Sequence, residues 1–167
     1  APRYAWRLGL AHFNHKLRPG AAARDERFVR GLARKFKVAF YGGRGDVKRE
    51  ARRTNTSIEE CARQMRYDFF LKTAQKKKFH AVVLAHTKDD QAETVLMRVL
   101  QGTGLRGLQG IRERFKMGRL TCVRPLLPFT KKELLEYLAT RRIPFRSDRS
   151  NESSRFVRNR IDRKSVV

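Results

Sequence analysis

The feature that most restricts the fold of this chain is an alternation of short apolar runs with segments of helical periodicity. Four apolar runs have the length and composition of strands, at 6–13, 38–41, 81–85 and 120–123. Four segments repeat apolar residues at helical spacing, at 24–37, 57–78, 89–100 and 130–140. Strands that alternate with helices pair in parallel and carry helices on both faces. The sequence therefore predicts an α/β fold, a three-layer, mostly parallel sheet.

Local signals predict where two helices begin and which residues face the core. Ser57 with Glu60, and Thr130 with Glu133, have the spacing of helix-capping boxes. The continuous apolar run at 81–85 is typical of a buried parallel strand. Two helices present apolar stripes that we expect to face the core, formed by Phe28, Leu32 and Phe36 and by Ala92, Val95, Leu96, Val99 and Leu100. Basic or glycine-rich segments predict loops at 44–56 and 102–110.

The composition carries a strong positive charge, since 40 Lys and Arg against 16 Asp and Glu give a formal net charge of +24. Such a charge favours a nucleic-acid partner, and a generally basic protein is the alternative. Cys61 and Cys122 are far apart and predict reduced thiols in an intracellular compartment. No apolar run reaches the length of a membrane span and no export signal begins the chain, so we expect a cytoplasmic protein without a membrane partner.

The polar residues that directly follow predicted strands are the first candidates for a site, because ligands of parallel sheets bind at the carboxyl ends of the strands. His12 and Asn14 end the first strand and His86 follows the third. Two histidines at 12–15 lack a third ligand for zinc, so a nucleotide contact or a loop-positioning role is favoured there. A nucleotide-binding reading of the glycines at 102–107 is rejected, since they follow a helix rather than a strand.

An acidic cluster lies just after His86, in a chain where acidic residues are scarce. Asp89, Asp90 and Glu93 share a face of the predicted helix at 89–100, because they are three and four residues apart. They could surround Mg²⁺, deprotonate an amine or neutralise a cationic substrate. The alternative is a helix whose first-turn carboxylates complement its dipole.

Two arginine-rich segments have no unique interpretation from the residues alone. Arg63 and Arg66 lie three residues apart beside aromatic residues, which also fits a solvated basic helix face. Arg155, Arg158 and Arg160 form a cluster suited to phosphate contact, and a solvated helix start explains it equally well.

Five segments, taken together and in order, resemble one family, the bacterial tRNA(Ile)-lysidine synthetases among the PP-loop ATP pyrophosphatases. The resemblance covers nearly all of the chain, and the AH-x-x-DDQAET block and the closing RNR-I block are its most specific parts. The segments are HFNHKLR at 12–18, SIEECARQMRYDFF at 57–70, LAHTKDDQAETVLMRVLQGTGLRGLQGI at 84–111, RPLLPFTKKELLEYL at 124–138 and SDRSNESSRFVRNRI at 147–161.

This resemblance implies a Rossmann-like fold of the adenine nucleotide alpha hydrolase type, with ATP and Mg²⁺ as cofactors. It also implies the reaction, in which ATP adenylates the wobble cytidine of tRNA(Ile) with a CAU anticodon. The side-chain amine of free L-lysine then displaces AMP and forms lysidine. A homodimer is left open.

The resemblance also implies roles for individual residues. The catalytic residues that it implies are Asp90, His86, Asp89 and Glu93, and Asp90 is the leading candidate among them. Residues for binding ATP or substrate are His12, Asn14, Arg66, Arg124, Arg158 and Arg160. No metal ligand is assigned firmly, and Mg²⁺ is expected with ATP, through Asp89 or Asp90.

One departure from the family pattern is clear, because S-G-G-x-D-S, the pyrophosphate-binding PP-loop motif, does not occur in the sequence. We therefore expect residues 1–167 to be a partial N-terminal catalytic domain that lacks its first strand–loop–helix unit. We expect 141–167 to be an arginine-rich edge that leads to an absent extension. The isolated chain is then predicted not to hydrolyse ATP, and a basic RNA-binding remnant is the alternative function. A sibling enzyme that thiolates tRNA is disfavoured, because Cys61 and Cys122 form no Cys-x-x-Cys pair.

Overall fold

A computed structural model describes residues 5–17, 19–104 and 107–146, and the chain divides into two compact units, Ala1–His80 and Ala81–Val167. Each unit contains both helices and a parallel strand pair, so the predicted α/β class is confirmed. Among the helices of these described ranges, none is long and apolar enough to cross a membrane.

The first unit contains a parallel pair of strands joined by a helix. Strand β1 (Gly9–Asn14) pairs with β2 (Ala39–Arg44) over six residues, and α1 (Pro19–Lys35) connects them. Parallel strands need such a crossover, because a tight turn would reverse the chain. Helix α1 begins five residues before the predicted start at 24, at a proline that the first helical turn tolerates. The expectation that Phe36 faces the core is wrong, since α1 ends at Lys35 and Phe36 is 49% exposed.

The predicted loop at 44–56 is wrong, because most of it forms α2 (Val47–Thr54). The Asp46 carboxylate accepts a hydrogen bond from the Arg49 N–H at 3.1 Å and so caps the first turn. Val47 and Ala51 are buried in a small core together with Cys61. The helix escapes sequence prediction because only these two positions of eight are buried, too few to establish a periodicity.

Helix α3 (Ile58–Lys76) begins where its capping residue predicts, since the Ser57 hydroxyl accepts from the Glu60 N–H at 3.1 Å. It packs closely against β2, and glycine makes this approach possible. A Cβ atom at Gly43 would lie 2.5 Å from Cδ2 of Phe69. The sequence pattern indicated that Gly43 lies beyond the end of the strand, but β2 extends to Arg44 and includes it.

Gly43→Ala is expected to destabilise the protein by about 1–3 kcal/mol, because the added methyl group displaces the Phe69 ring. Urea unfolding measures the change. Gly31→Ala in α1 is the matched control, since nothing lies within 4 Å of a Cβ there. The control should be neutral or stabilising by about 0.5–1 kcal/mol. Equal stability of the two variants would contradict the packing described for β2 and α3.

The second unit contains a mixed three-stranded sheet. Its order is β3 (Ala81–Val83), β5 (Leu120–Val123) and β4 (Arg114–Met117), with β3 parallel and β4 antiparallel to β5. Strand β4 was not predicted, although Gly118, with φ of +59°, marks the tight turn that joins it to β5. The helices are α4 (Lys88–Leu100) and α5 (Lys131–Thr140), and a short 3₁₀ turn covers Gly107–Gln109.

Two burial expectations are wrong in the second unit. The apolar stripe of α4 is largely exposed, with Leu96, Val99 and Leu100 at 42%, 54% and 67%. Strand β3 is not buried either, since Val83 is 65% exposed. The strands of the described sheet are only three or four residues long, and such a small sheet covers little apolar surface. Leu120 and Cys122 of the central strand are buried.

Candidate functional site

In the second unit, the carboxyl ends of two neighbouring strands bring His86 and Arg124 together. His86 follows β3 and Arg124 follows β5, and the Leu84 N–H donates to the Val123 carbonyl at 2.9 Å where the two strands end. The Arg124 Nε donates to His86 Nδ1 at 3.1 Å. The position of His86 after a strand, expected from the sequence, thus has a partner that the sequence did not reveal.

Asp90 caps the helix on which it lies. Its Oδ2 atom accepts from the Thr87 backbone N–H at 2.8 Å and from the Thr87 hydroxyl at 2.9 Å. The Asp90 N–H donates back to the hydroxyl at 3.4 Å, which completes a capping box at the start of α4. Asp90 therefore caps α4 through its side chain. A catalytic role for this carboxylate rests on the family resemblance and not on these capping contacts.

The neighbouring acidic residues differ in their surroundings. Asp89 Oδ2 accepts from the Lys131 N–H at 2.7 Å, so this carboxylate lies at the beginning of α5. Glu93 is half-buried one helical turn beyond Asp89. The sequence correctly placed all three carboxylates at the start of one helix. It gave no sign that Asp89 connects α4 to the first turn of α5, because that contact joins residues 42 positions apart.

Gln91 is a second residue whose role the sequence did not show. Its Oε1 atom accepts from the Ile111 N–H, and its amide group lies against the Cα of Gly110. Gly110 has a φ of +63°, a conformation that favours glycine, and its carbonyl accepts from Arg98 at 2.9 Å. Two side chains of α4 thus fix the segment that leads into β4.

In the first unit, Asn14 lies at the carboxyl end of β1 and is only 9% exposed. Its Oδ1 atom accepts from the Lys16 N–H at 3.0 Å, and its Nδ2 donates to Glu26 Oε2 at 3.4 Å. The side chain is therefore held from both ends. Both contacts position the loop after β1, and the nucleotide contact expected for Asn14 stays a prediction.

Glu26 is the centre of a charged cluster that sequence reasoning missed. This buried carboxylate of α1 accepts two hydrogen bonds from Arg44, at 3.1 and 3.2 Å, and one from Arg30 at 3.2 Å. The bonds from Arg44, together with those from Asn14 and Arg30, lower the pKa of Glu26 to about 2 even though burial opposes ionisation. The carboxylate is therefore ionised at neutral pH and orients Asn14.

His12 and His15 face a partly buried environment on the same side of the first unit. Burial lowers the pKa of both imidazoles, and the positive charge of Arg66 lowers that of His15 further. Burial also lowers the pKa of the Arg66 guanidinium itself. Within the described ranges, His12 Nε2 and His15 Nδ1 are buried atoms that find no hydrogen-bond partner. Helix α3 thus places the Arg66 charge close enough to act on His15.

The predicted site residues therefore fall into two groups, one in each unit. His12, Asn14 and Arg66 lie in the first, and His86, Asp89, Asp90, Glu93 and Arg124 lie in the second. Arg158 and Arg160 lie outside the described residues. In the part of the chain that the structure describes, no group of three or more His, Cys, Asp or Glu side chains could hold a metal ion.

Comparison with known protein families decides which family these features represent. Residues 2–167 match the PP-loop domain. The chain belongs to the PP-loop domain family. This match confirms the Rossmann-like fold that the family resemblance implied.

Curated proteins similar to this PP-loop domain carry one recurring name. The chain is 40% identical to a tRNA(Ile)-lysidine synthase of Chlorobaculum tepidum, over 93% of the chain and 47% of that protein. It is 42% identical to a tRNA(Ile)-lysidine synthase of Geobacter sulfurreducens, over 92% of the chain and 32% of that protein. A Bifunctional protein TilS/HprT of Listeria monocytogenes is 37% identical, over 92% of the chain and 24% of that protein. The chain thus spans about a quarter to a half of these relatives.

Proposed function

We propose that this PP-loop domain acts in the ATP-dependent ligation of L-lysine to the wobble cytidine of tRNA(Ile) with a CAU anticodon. The observation that carries the proposal is the 36–42% identity, over 90% or more of the chain, to proteins named tRNA(Ile)-lysidine synthase. The expected product is lysidine, formed by attack of the lysine amine on an adenylated cytidine. AMP and pyrophosphate are released.

The acidic residues of α4 suit the lysine substrate. A free lysine side chain has a pKa of about 10.4, so at neutral pH the amine must lose a proton before it attacks. A carboxylate can both attract the ammonium group and accept that proton. Asp90 and Glu93 lie in the first half of α4, shortly after the strand end that His86 follows. We expect the lysine to bind near this strand end, because ligands of parallel sheets bind at the carboxyl ends of the strands.

The polar residues of the first unit suit the nucleotide. Asn14 donates to Glu26, His12 Nε2 and His15 Nδ1 are buried without a partner in the described residues, and the Arg66 charge acts on His15. Buried polar atoms without partners are costly, so a ligand that supplies hydrogen bonds there is stabilised. We assign ATP contacts to this group. Mg²⁺ would be held mainly by the ATP phosphates, with one or two carboxylates of the protein completing its oxygen ligands.

The outer face of α2 suits the tRNA backbone. Lys48, Arg49 and Arg52 are exposed on the side of the helix opposite the buried Val47 and Ala51. Residues three and four apart on a helix are neighbours, so the three cations form one patch. Such a patch contacts phosphates and contributes affinity without reading the base sequence. We name these three residues the α2 patch.

Replacing Lys48, Arg49 and Arg52 together with glutamine is expected to weaken tRNA binding at low salt. The slope of log affinity against log salt should fall by about one for each phosphate contact that is lost. Filter binding over a range of salt concentrations measures both quantities. The control removes the same charge from three exposed lysines elsewhere, Lys72, Lys76 and Lys132. An equal loss in both triple variants would show that net charge alone acts, and would contradict a contact at the α2 patch.

The proposed function is tested by incorporation of radiolabelled lysine into tRNA by the purified natural protein. Incorporation should require ATP and tRNA(Ile), and initiator tRNA, which shares the CAU anticodon, should remain unlabelled. The alternative is a basic RNA-binding protein without this activity, a function that the formal net charge of +24 also fits. That alternative predicts salt-sensitive RNA binding with no ATP turnover and no incorporation.

A further inference from the structure

Among the arginines in the described part of this basic chain, Arg124 is unusual because it is buried, with only 5% of its surface exposed. Its guanidinium carbon lies 4.6 Å from the centre of the Phe115 ring, and its Nη1 donates to the Arg112 carbonyl. Its backbone N–H donates to the Glu113 carbonyl at 2.8 Å. The side chain is therefore fixed within the second unit, which suits the orientation of a neighbour better than contact with a polynucleotide phosphate.

The neighbour that Arg124 orients is His86. The guanidinium has hydrogen-bond donors and no acceptor, so the His86 Nδ1 atom, 3.1 Å from Nε, must present a lone pair. A proton on Nδ1 would place two donors face to face and would add a second positive charge beside the first. A neutral imidazole that accepts at Nδ1 carries its proton on Nε2.

We propose that Arg124 is a positioning residue that holds His86 as the neutral tautomer with the proton on Nε2. His86 then serves the reaction as a hydrogen-bond donor to an acceptor oxygen of the substrate, and the carboxylates of α4 remain the groups that accept a proton. The role of His86 in the reaction rests on the proposed function, whereas its tautomer does not. Arg124 acts through His86 and needs no contact with the substrate.

The tautomer is measured directly by nuclear magnetic resonance of the natural protein with ¹⁵N-labelled histidine. The chain has four histidines, so His86→Gln identifies the signals of His86. We expect the couplings of an imidazole with its proton on Nε2 at neutral pH. A signal from the other tautomer, or from the doubly protonated ring, would overturn the proposal whether or not the protein forms lysidine.

Arg124→Met should release the constraint and yield a mixture of tautomers, with kcat lowered about 10- to 100-fold, as for other residues that orient a functional histidine. Arg124→Lys keeps one donor and should restore part of the wild-type signal. Phe115→Leu removes the ring beneath the guanidinium and leaves both hydrogen-bonding partners in place, so the tautomer should persist. Unchanged His86 signals in a folded Arg124→Met variant would contradict the proposal. If that variant fails to fold, the wild-type and Arg124→Lys spectra decide the question.

Discussion

Asp90→Asn is expected to lower the kcat of lysine incorporation at least about 100-fold, the usual minimum for loss of a group that transfers a proton. Asparagine can still accept the hydrogen bonds that Thr87 donates to Oδ2. The variant therefore retains most of the capping contact and loses the negative charge and the basicity. Single-turnover incorporation at saturating lysine separates this loss from a change in lysine binding.

Helix α5 offers a matched control for the structural part of that change. Glu133 occupies the same capping position there, with its Oε2 accepting from the Thr130 N–H at 2.7 Å and from the Thr130 hydroxyl at 2.6 Å. These bonds lower the pKa of Glu133. Glu133→Gln should change thermal stability by a similar amount and leave incorporation nearly unaffected. If Asp90→Asn behaves like Glu133→Gln in both assays, Asp90 is a capping residue only.

Glu26→Gln is expected to destabilise the protein by about 1–3 kcal/mol, the cost of removing a charged partner from a buried hydrogen-bond network. The neutral amide no longer balances Arg44 and Arg30, whose side chains are 65% and 47% exposed and therefore recover part of the loss through solvation. Urea unfolding at neutral pH measures the change. Glu50→Gln is the control, because its pair with Arg53 is exposed and contributes a smaller stabilisation.

The pH dependence of stability provides a second test of Glu26. Its pKa falls from 4.5 to about 2 on folding, so the ionised carboxylate stabilises the native state above the unfolded value. This stabilisation is lost as the pH falls from about 4.5 towards 2. Glu26→Gln should therefore show a shallower acid-induced loss of stability than the wild type over that interval. Parallel pH profiles for the two proteins would contradict the Arg44–Glu26–Asn14 network.

Local signals in the sequence were sufficient for some elements. Ser57 and Thr130 predicted the starts of α3 and α5, because a capping contact joins residues only three apart. Helix α2 was missed in spite of its cap at Asp46, because only two of its eight residues are buried and these pack against Cys61 of the next helix. The exposed stripe of α4 shows the limit of periodicity, which identifies an apolar face without showing what covers it.

The candidate site was predictable to a similar extent. His86, Asp89 and Asp90 stood out because polar residues that follow a predicted parallel strand indicate a ligand site at its carboxyl end. The hydrogen-bond partners of His86 and Asn14 could not be predicted, because Arg124 lies 38 residues from His86 and Glu26 lies 12 residues from Asn14. Contacts of this kind depend on strand pairing and helix crossover, and no spacing rule in the sequence reports them. The roles of Arg158 and Arg160 stay predictions.

Lysidine formation by this PP-loop domain is tested most directly on the wobble nucleoside in the anticodon loop of the tRNA product. Purified tRNA(Ile) incubated with the natural protein, ATP and lysine is digested, and the wobble nucleoside is identified by mass spectrometry. We expect a nucleoside with the mass of cytidine plus one lysine less one water, formed by the wild type and lost with Asp90→Asn. An unmodified cytidine after incubation with the folded wild-type protein would contradict lysidine formation.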